Sequence, residues 1–511
     1  MMLESVLTSA PQWALLHAPV LVVVVPMLMA PLLAILPGGR LSWMLTVAGV
    51  AATFYFALVT LVLVQSSPLG VLSYEIGRWP PPIGIEFRTD ALNAMIILLV
   101  TGIALLASIF AWPTVVAELG NHKLGFFFAA FMLCLCGLLG VASTGDAFNL
   151  FVFLEISSLA TYVMVAMGAR RDRRALPAAF NYLIMGTLGA SFYIIGIGFL
   201  YAATGTLNMA DIGDRLPALI DNRAVQVGFA FIIVGLGLKA AMWPLHQWLP
   251  NAYSYGPSFV TVFLSATATK VALYALVRFL FTVFQPEYTF EKASFAWILA
   301  PLGIAAMVVC SFQACFQTDV RRVLAYSSVA QVGYMLLGVS LATAAGVAAG
   351  LLHMFNHALM KGALFMAVAG VVLMHRGTNI RDFAGLGRTA PWTMTAFAIA
   401  GLSLIGVPLT AGFMSKLQLG YALFAEGWWW AVLLVVFSSF LAVFYIGRIL
   451  QAVFFQPPAD PGKSHKEAPL LLLIPLWILA LANIYFGIAA GFPLGLARDG
   501  AVAALGVEAF R

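Results

Sequence analysis

Charge is the property this 511-residue chain has least of, since only 9% of its residues are charged while 62% are hydrophobic. Soluble domains carry roughly 25% charged residues. The deficit excludes sizeable soluble domains and indicates a polytopic membrane protein. The net charge of +6 predicts no nucleic-acid partner, because the basic residues lie between apolar stretches.

Cysteine is scarce as well, and the four cysteines lie in or at the ends of apolar stretches: Cys134, Cys136, Cys310 and Cys315. They form no CxxC pair and no metal-ligand spacing. A nucleotide-binding motif, a haem ligand set and cluster-type cysteines are also missing from the sequence. We therefore expect no cofactor and no bound metal, and we expect any redox chemistry to belong to other proteins.

Long apolar runs are abundant. A transmembrane helix needs about 20 apolar residues, and the chain has about fourteen such runs, at 18–36, 42–64, 91–112, 125–144, 148–168, 178–203, 226–245, 257–284, 296–315, 321–341, 344–373, 392–422, 428–453 and 469–493. The predicted fold class is therefore an all-α polytopic membrane protein with about 14 transmembrane helices.

The basic residues of the loops divide unequally between the two sides. One side carries fourteen: Arg40, Lys123, Arg170, Arg171, Arg173, Arg174, Arg321, Arg322, Arg376, Arg381, Arg388, Arg448, Lys463 and Lys466. The other side carries seven: Arg78, Arg88, Arg215, Arg223, Lys292, Arg498 and Arg511. Loops rich in lysine and arginine stay in the cytoplasm. We therefore expect a multi-pass protein of the cell inner (plasma) membrane with both termini on the outer face.

A weak internal repeat is also visible. Trp243-Pro244-Leu245 interrupts the seventh span near Lys239, and Val407-Pro408-Leu409 interrupts the twelfth span near Lys416. The two spans are five apart, and an odd offset gives the two units opposite topology. Paired, interrupted helices in inverted repeats indicate the binding site of a transporter.

Lys239 and Lys270 each lie inside a run that is otherwise apolar enough to cross a bilayer, and Glu155 is the carboxylate placed inside a span. Ionisable residues at such depth are expensive and are functional candidates. We expect Lys239 to be the partner of Glu155. The alternatives are a neutral glutamate bonded to a backbone carbonyl, and lysines that extend to the membrane surface.

His353, His357 and Lys361 follow one another at intervals of four residues, so they share one face of the eleventh helix. Histidine titrates near neutral pH, which favours a proton relay. A metal site is the weaker interpretation, because a lysine continues the face where a carboxylate ligand would be needed. Polar residues that only pack helices together are a further alternative.

Three other basic residues are open to two interpretations each. Lys416 follows the Pro408 interruption and is either an exit-side protonatable group or a lysine at the membrane interface. Arg278 lies near the end of its span, where its side chain could equally reach the surface. His246 either extends the proton path or caps the interruption at Pro244.

Four stretches give the chain a family resemblance: FNLFVFLEISSLATY (148–162), GLKAAMWPLHQWLPNAYSYGPSFVTVFLSATATKVALYALVR (237–278), HMFNHALMKGALF (353–365) and GVPLTAGFMSKLQL (406–419). They resemble the antiporter-like proton-translocating subunits that respiratory complex I, membrane-bound hydrogenases and Mrp cation/proton antiporters share. The resemblance covers essentially the whole chain. Within the family, the resemblance is greatest to the D-type subunits of Mrp antiporters. The end of the chain just after the fourteenth span also resembles a D-type subunit.

The resemblance implies two inverted five-helix repeats, at spans four to eight and nine to thirteen. The corresponding divisions are 1–120, 121–285, 286–455 and 456–511. It also implies that protons move along a buried axis, with Glu155 and Lys239 as a charged pair, Lys270 as the central basic residue and Lys416 on the exit side. His353, His357 and Lys361 complete the predicted proton path.

The expected function is proton translocation in a multisubunit Na⁺(cation)/H⁺ antiporter, which makes the chain a secondary-transporter subunit rather than an enzyme. The expected partners are other subunits, protons, sodium ions and the lipid bilayer. Alternatives are a proton-pumping subunit of complex I or of a membrane-bound hydrogenase, a transport-inactive assembly scaffold, and a solute transporter that works alone.

Overall fold

The computed structural model describes residues 10–36, 39–120, 124–375, 377–458 and 467–506. Five basic residues in the loop-charge argument lie outside these ranges: Lys123, Arg376, Lys463, Lys466 and Arg511. The described chain is almost entirely helical, in agreement with the predicted fold class.

The first 120 residues contribute three long helices and one hairpin. Their bounds are α1 Gln12–Ile35, α2 Arg40–Ser66, β1 Val71–Glu75, β2 Glu86–Asp90 and α3 Ala91–Leu119. Asp90 begins α3 as its N-cap and accepts hydrogen bonds from the backbone N–H groups of Leu92 and Asn93. A side-chain cap of this kind satisfies donors that the first helical turn would otherwise leave unpaired.

The next eight helices are α4 Leu124–Ser143, α5 Ala147–Ala166, α6 Ala175–Thr204, α7 Met209–Arg215, α8 Arg223–Lys239, α9 Trp248–Tyr255, α10 Ser258–Ala266 and α11 Ala268–Arg278. A π-helical turn over Phe279–Val283 extends α11. The structure thus interrupts the seventh span after Lys239, where the sequence predicts a break. It also interrupts the eighth span at Thr267, which the sequence analysis did not predict.

The remaining helices are α12 Ala296–Ala305, α13 Ser311–Phe316, α14 Val320–Ser340, α15 Ala344–His375, α16 Leu386–Thr389, α17 Pro391–Ile405, α18 Ala411–Ala425, α19 Trp429–Phe455, α20 Leu470–Ile488 and α21 Gly491–Leu505. A π-helical turn over Ala306–Cys310 joins α12 to α13. The twelfth predicted span is split into α17 and α18 at the predicted interruption.

The number of spans agrees with the sequence. Among the described residues, twelve helical stretches are long and apolar enough to cross a membrane, and Pro391–Ile405 is a shorter apolar helix. The seventh and twelfth predicted spans are the two that this length criterion leaves out. Both are interrupted helices whose separate pieces are too short for the criterion, so the twelve stretches and these two spans make up the predicted fourteen.

Two elements were not predicted. The segment between the second and third predicted spans contains a hairpin, in which Val71–Glu75 and Glu86–Asp90 pair as antiparallel strands from Val71↔Asp90 to Glu75↔Glu86. Glu86 is buried and accepts a hydrogen bond from Asn208 at 2.8 Å and one from Ser73. Helix α21 is the second such element, and it packs against α15 and α3.

Two isolated backbone bridges reveal the internal repeat. Asp146, the N-cap of α5, pairs with Asn208, and Asp319, the N-cap of α14, pairs with Asn379. The two helices are the fifth and tenth predicted spans, so the bridges recur at an offset of five spans. Each bridge joins the start of one helix to the segment that follows the next long helix.

The two bridges lie on opposite faces of the molecule. The first adjoins the hairpin, because Phe87 pairs with Thr144. We call this side the hairpin face. The second lies beside Arg170, Arg174 and Arg322, all of which line one cleft with Asp319, and we call that side the arginine face. The opposite placement supports an inverted arrangement of the repeats, while the boundaries 121–285 and 286–455 stay a prediction.

Arg278 does not extend to the membrane surface. It is buried, with Nη1 at 2.8 Å from Asp90 Oδ2 and Nη2 at 2.8 Å from both Asp90 Oδ1 and Asn93 Oδ1. Asp90 precedes the apolar run at 91–112, so hydropathy gives no sign of its burial. Two fixed charges in a bidentate pair join the end of α11 to the start of α3.

We predict that Asp90→Asn destabilises the protein by about 3–5 kcal/mol, because it leaves the buried Arg278 charge without its counterion. The measurement is the thermal unfolding midpoint of the purified protein. The matched control is Asp211→Asn, which breaks the exposed Asp211–Arg215 pair and should cost about 0.5 kcal/mol or less. Equal effects of the two substitutions would contradict this account of Arg278.

Candidate functional site

Lys239 and Glu155 form an ion pair between α8 and α5. Lys239 Nζ lies 3.2 Å from Glu155 Oε1 and donates to Ser158 Oγ at 2.6 Å. The lysine side chain is 7% exposed and the glutamate side chain 22%. The structure thus places the predicted partners in contact and adds Ser158, which lies one helical turn after Glu155.

The chain positions Lys239 by ending α8 at this residue. Ala241 adopts a φ of 55°, which a continuing helix does not allow, and Pro244 follows. Trp248 Nε1 then donates to the freed carbonyl of Leu238 at 3.0 Å. The C-terminal end of a helix also favours a positive charge, so the interruption itself is a suitable place for an ammonium group.

Close helix packing fixes the distance from α8 to its neighbour α6. A Cβ atom on Gly235 would lie 2.6 Å from the carbonyl oxygen of Gly189, and one on Gly196 would lie 2.8 Å from that of Gly228. Such backbone contact is possible only with glycine at these positions. Gly235 is one turn before Lys239, so the glycine contact sets where the lysine projects.

Lys270 lies just beyond the unpredicted break between α10 and α11. Thr267 has φ −124° and ψ −58°, which interrupts the helical hydrogen bonds. The carbonyl of Ser265 is released by the break and accepts a hydrogen bond from Lys270 Nζ, with Thr269 Oγ1 a weaker acceptor at 3.4 Å. Lys270 is 1% exposed, so the extension to the surface considered above does not occur.

The two histidines of α15 are both buried, but their surroundings differ. His353 Nδ1 lies 2.8 Å from Ser415 Oγ, and its Nε2 lies 2.8 Å from Gln331 Oε1. His357 has its ring parallel to that of His353 at 6.3 Å, and within the described ranges neither of its nitrogens has a hydrogen-bond partner. His353 is therefore held by two hydrogen bonds, whereas His357 is positioned by packing among the described residues.

Lys361 continues the same face of α15 and is completely buried. Its Nζ donates to the carbonyl of Leu324 at 2.7 Å and to Ser327 Oγ at 2.5 Å, both on α14. All its partners are uncharged oxygens. This arrangement holds an ammonium group without any carboxylate nearby.

Lys416 lies where the interrupted helix α17/α18 exposes its backbone. Its Nζ donates to the carbonyls of Leu404 and Ile405 at 3.1 and 2.9 Å, and to Ser439 Oγ at 3.0 Å. The ring of Tyr334 faces the ammonium at 4.8 Å, which adds a cation–π contact. The side chain is buried, and its ammonium group is held by these oxygens rather than extended into solvent.

The predicted site residues fall into two groups. Glu155 and Lys239 form the first, and the second contains Lys270, His353, His357, Lys361 and Lys416. In the second group, His353, His357 and Lys361 share one face of α15, and Lys270 is among the charged groups around His357. No hydrogen bond or ion pair in the described part of the chain joins the first group to Lys270.

His246 lies outside both groups. Its Nε2 is 3.7 Å from Cys310 Sγ, a contact that crosses from the interrupted seventh span to the ninth. Over the described ranges, no three His, Cys, Asp or Glu side chains converge on a point where a metal could bind. Both ring nitrogens of His353 are already committed to Ser415 and Gln331.

Several polar residues of the site were not among the predicted ones. Ser158 and Tyr162 follow Glu155 at three and seven residues, a helical spacing that could have identified them. Tyr162 packs edge-to-face on Tyr182, and Tyr182 stacks on Trp248 at 4.1 Å. Ser439 had no such signal, because it lies in a long apolar helix and contacts Lys416 only in the folded protein.

A bundle with interrupted helices and buried lysines is the arrangement of an ion-transporting membrane subunit. The family model described as "NADH:quinone oxidoreductase/Mrp antiporter, TM" matches residues 144–442. The chain therefore belongs to this family of antiporter-like membrane subunits, as the sequence motifs predicted.

Individual relatives come from both branches of the family. The chain is 40% identical to the N-type subunit of the NADH-quinone oxidoreductase of Desulforudis audaxviator (strain MP104C) over 490 residues, which cover 92% of this chain and 96% of the relative. It is 28% identical to the D-type subunit of the Na(+)/H(+) antiporter of Bacillus subtilis (strain 168) over 471 residues, covering 92% and 93%.

A solved structure extends the similarity to the whole fold. A chain of the membrane-bound sulfane sulfur reductase, an archaeal respiratory membrane complex, superimposes with a TM-score of 0.86 at 33% identity. The match covers 96% of this chain and 98% of the other.

We predict that Gly235→Ala lowers the thermal unfolding midpoint, because the new Cβ forces α8 away from α6. Overpacking of this kind typically costs about 1–3 kcal/mol. The control is Gly198→Ala on α6, where a Cβ meets nothing within 4 Å and the midpoint should stay or rise slightly. A midpoint for Gly235→Ala equal to that of Gly198→Ala would show that the close packing is dispensable.

Proposed function

We propose that this chain is a proton-translocating subunit of a multisubunit membrane complex. The observation that carries the proposal is the chain of buried protonatable side chains from Lys270 to Lys416. The ring of His357 lies parallel to that of His353 at 6.3 Å, and Lys270 is among the charged groups around His357. The ring of His353 lies 5.3 Å from that of Tyr334, which in turn faces Lys416. A structural core has no need for such a series, since each buried polar group costs free energy.

Each site residue has a role in this proposal. Glu155 holds Lys239 charged while the pair is closed, and opening the pair frees Lys239 to release its proton. Lys270 receives protons at the centre of the molecule, and the histidine face passes them on, with Lys361 as a further charge beside it. Lys416 is the exit-side group.

A proton that moves between Lys239 and Lys270 needs a carrier, because no hydrogen bond in the described part of the chain joins the two residues. The packed rings of Tyr162, Tyr182 and Trp248 lie on the Lys239 side, where Trp248 donates a hydrogen bond to the carbonyl of Leu238. Water entering beside these rings, or a change of lysine rotamer, completes the path. This interval is the proposed gate, because proton transfer requires a continuous run of hydrogen bonds.

In this proposal, partner subunits carry out the reaction that drives proton movement. Two couplings have specific support. The motifs around Lys239 and Lys416 resemble the D-type subunits of Mrp complexes, which favours exchange of protons for sodium ions in an antiporter. The identity of 40% to an N-type subunit, against 28% to a D-type subunit, favours a redox-driven complex of the complex I or hydrogenase type. In both cases this chain supplies the proton path.

The proposed setting is the cell inner membrane, with both termini on the outer face. The arginine face is then cytoplasmic, in accordance with the positive-inside rule. The proposed units are an N-terminal three-helix segment (1–120), two inverted repeats (121–285 and 286–455) and a C-terminal span (456–511).

The test is proton movement in inverted membrane vesicles that contain the complete complex. We predict that Lys239→Ala abolishes transport while the complex still assembles, as judged on native gels. The control is Lys292→Ala, because Lys292 pairs with Asp221 at an exposed position and should be dispensable. Unchanged transport in the Lys239→Ala complex would show that the buried lysine is structural.

The same vesicles distinguish the remaining alternatives. Activity driven by sodium without a redox substrate assigns the complex to the antiporter branch, and activity only with a redox substrate assigns it to the other branch. A transport-inactive scaffold would tolerate the double variant Glu155→Gln/Lys239→Gln without loss. Activity of the isolated chain would instead indicate a transporter that works alone.

A further inference from the structure

The arginine face contains a cleft that the proton path does not use. Its volume is about 860 Å³. It lies where α3 and α15 end and α14 begins, so both repeats and the N-terminal segment contribute. Its charged and hydrogen-bonding lining residues are Glu118, Arg170, Arg171, Asp172, Arg174, Tyr255, Thr318, Asp319, Arg322, Thr378 and Asn379.

Two of the three carboxylates in the cleft are committed to backbone groups. Glu118 Oε2 accepts from the backbone N–H of Ser258, the first residue of α10, at 3.0 Å. Asp319 Oδ1 accepts from the backbone N–H of Arg322 at 3.0 Å, and Oδ2 accepts from the hydroxyl of Thr378. Each carboxylate thus offsets the partial positive charge of a helix N-terminus.

The third carboxylate is committed to one arginine. Arg174 donates to Asp172 through Nε at 3.0 Å and through Nη2 at 2.7 Å. These hydrogen bonds from Arg174 hold the pKa of the Asp172 carboxyl below its ordinary value. Asp172 is therefore ionised at neutral pH, and its hydrogen bonds go to Arg174, with Arg171 as a second, weaker positive neighbour.

In the described part of the chain, Arg170 and Arg322 then have no carboxylate within ion-pair distance, and Arg171 has only a long contact with one. Arg170 donates to the carbonyl of Leu119. Arg322 contacts only uncharged oxygens, those of Gln317, Asn251 and Tyr255, at 3.2–3.3 Å. Arg171 has its nearest carboxylate oxygen, on Glu118, at 3.9 Å. The cleft therefore has positive charge in excess.

We propose that this cleft is a binding site for a phosphate-type anion, held by Arg170, Arg171 and Arg322. A guanidinium group presents a planar fork that matches the oxygens of a phosphate. The anion is either a free phosphate or diphosphate, or the headgroup of an anionic phospholipid, since both offer the same chemistry. The proposal does not depend on proton translocation.

The positive-inside rule alone does not account for this arrangement. The rule explains why one side has many arginines, but it does not require them to converge. Arg170 and Arg171 follow α5 of the first repeat, whereas Arg322 begins α14 of the second. Arg173 belongs to the same loop as Arg170 and Arg171 but does not line the cleft, which makes it a matched control.

The experiment uses the intact complex in nanodiscs, with Arg171→Gln and Arg322→Gln as separate variants and Arg173→Gln as the control. One arm titrates inorganic pyrophosphate into nanodiscs of zwitterionic lipid and measures binding by calorimetry at low ionic strength. The other arm adds phosphatidylglycerol and counts retained lipids by native mass spectrometry. Loss of one charged hydrogen-bonding partner should weaken binding about tenfold, whereas Arg173→Gln should leave it nearly unchanged.

Each outcome decides the proposal. Pyrophosphate binding that both cleft variants weaken identifies a free anion as the ligand, and retained phosphatidylglycerol that both variants lose identifies a lipid headgroup. If Arg173→Gln weakened binding as much as the cleft variants do, the binding would reflect general surface charge. That result would overturn the proposed site. Absence of binding in both arms overturns it as well. Comparing the unfolding midpoints of all three variants shows whether any loss of binding reflects misfolding.

Discussion

A buried ammonium group needs oxygen acceptors, and carbonyls that an interruption releases are more available than those of an unbroken helix, which already accept one bond within the helix. Much of the structure follows from this constraint. Lys270 uses a carbonyl that the break at Thr267 releases, and Lys416 uses two carbonyls at the end of α17. Lys239 lies at the C-terminal end of α8 itself. Interrupted helices are thus what allows these three lysines to lie inside an otherwise apolar bundle.

Both halves of the molecule supply oxygen acceptors for a buried lysine at an interrupted helix, and the two halves have similar architecture. The bridges at Asp146 and Asp319 begin equivalent helices on opposite faces. An inverted pair of units places one interruption in each half. Lys239 and Lys416 belong to these two interruptions, and Lys270, His353 and His357 lie between them in the sequence. A path with a different access side in each half follows naturally from such symmetry.

The sequence predicts the span number, the interruptions at Pro244 and Pro408 and the buried lysines, because hydropathy and rare charges are strong local signals in a membrane protein. It does not predict what depends on contacts distant in sequence. The neutral partners of Lys416 include Ser439, which lies in an apolar run. Asp90 was overlooked because a residue just outside a span gives no sign that it is buried against Arg278. The hairpin was missed because strand pairing over only five residues each has little periodic signal.

The buried cations are of two kinds, those paired with a carboxylate and those bound only by neutral oxygens. Arg278 is paired with the carboxylate of Asp90, so the loss of either charge would leave the other buried and uncompensated. Lys270, Lys361 and Lys416 instead bind carbonyl and hydroxyl oxygens, and the loss of a proton there leaves a neutral site. Such a lysine can change charge without breaking an ion pair. Lys239 differs, since its proton cannot leave without exposing the charge of Glu155 to a largely buried environment. In the proposed proton path, release of the Lys239 proton therefore requires the Glu155–Lys239 pair to open.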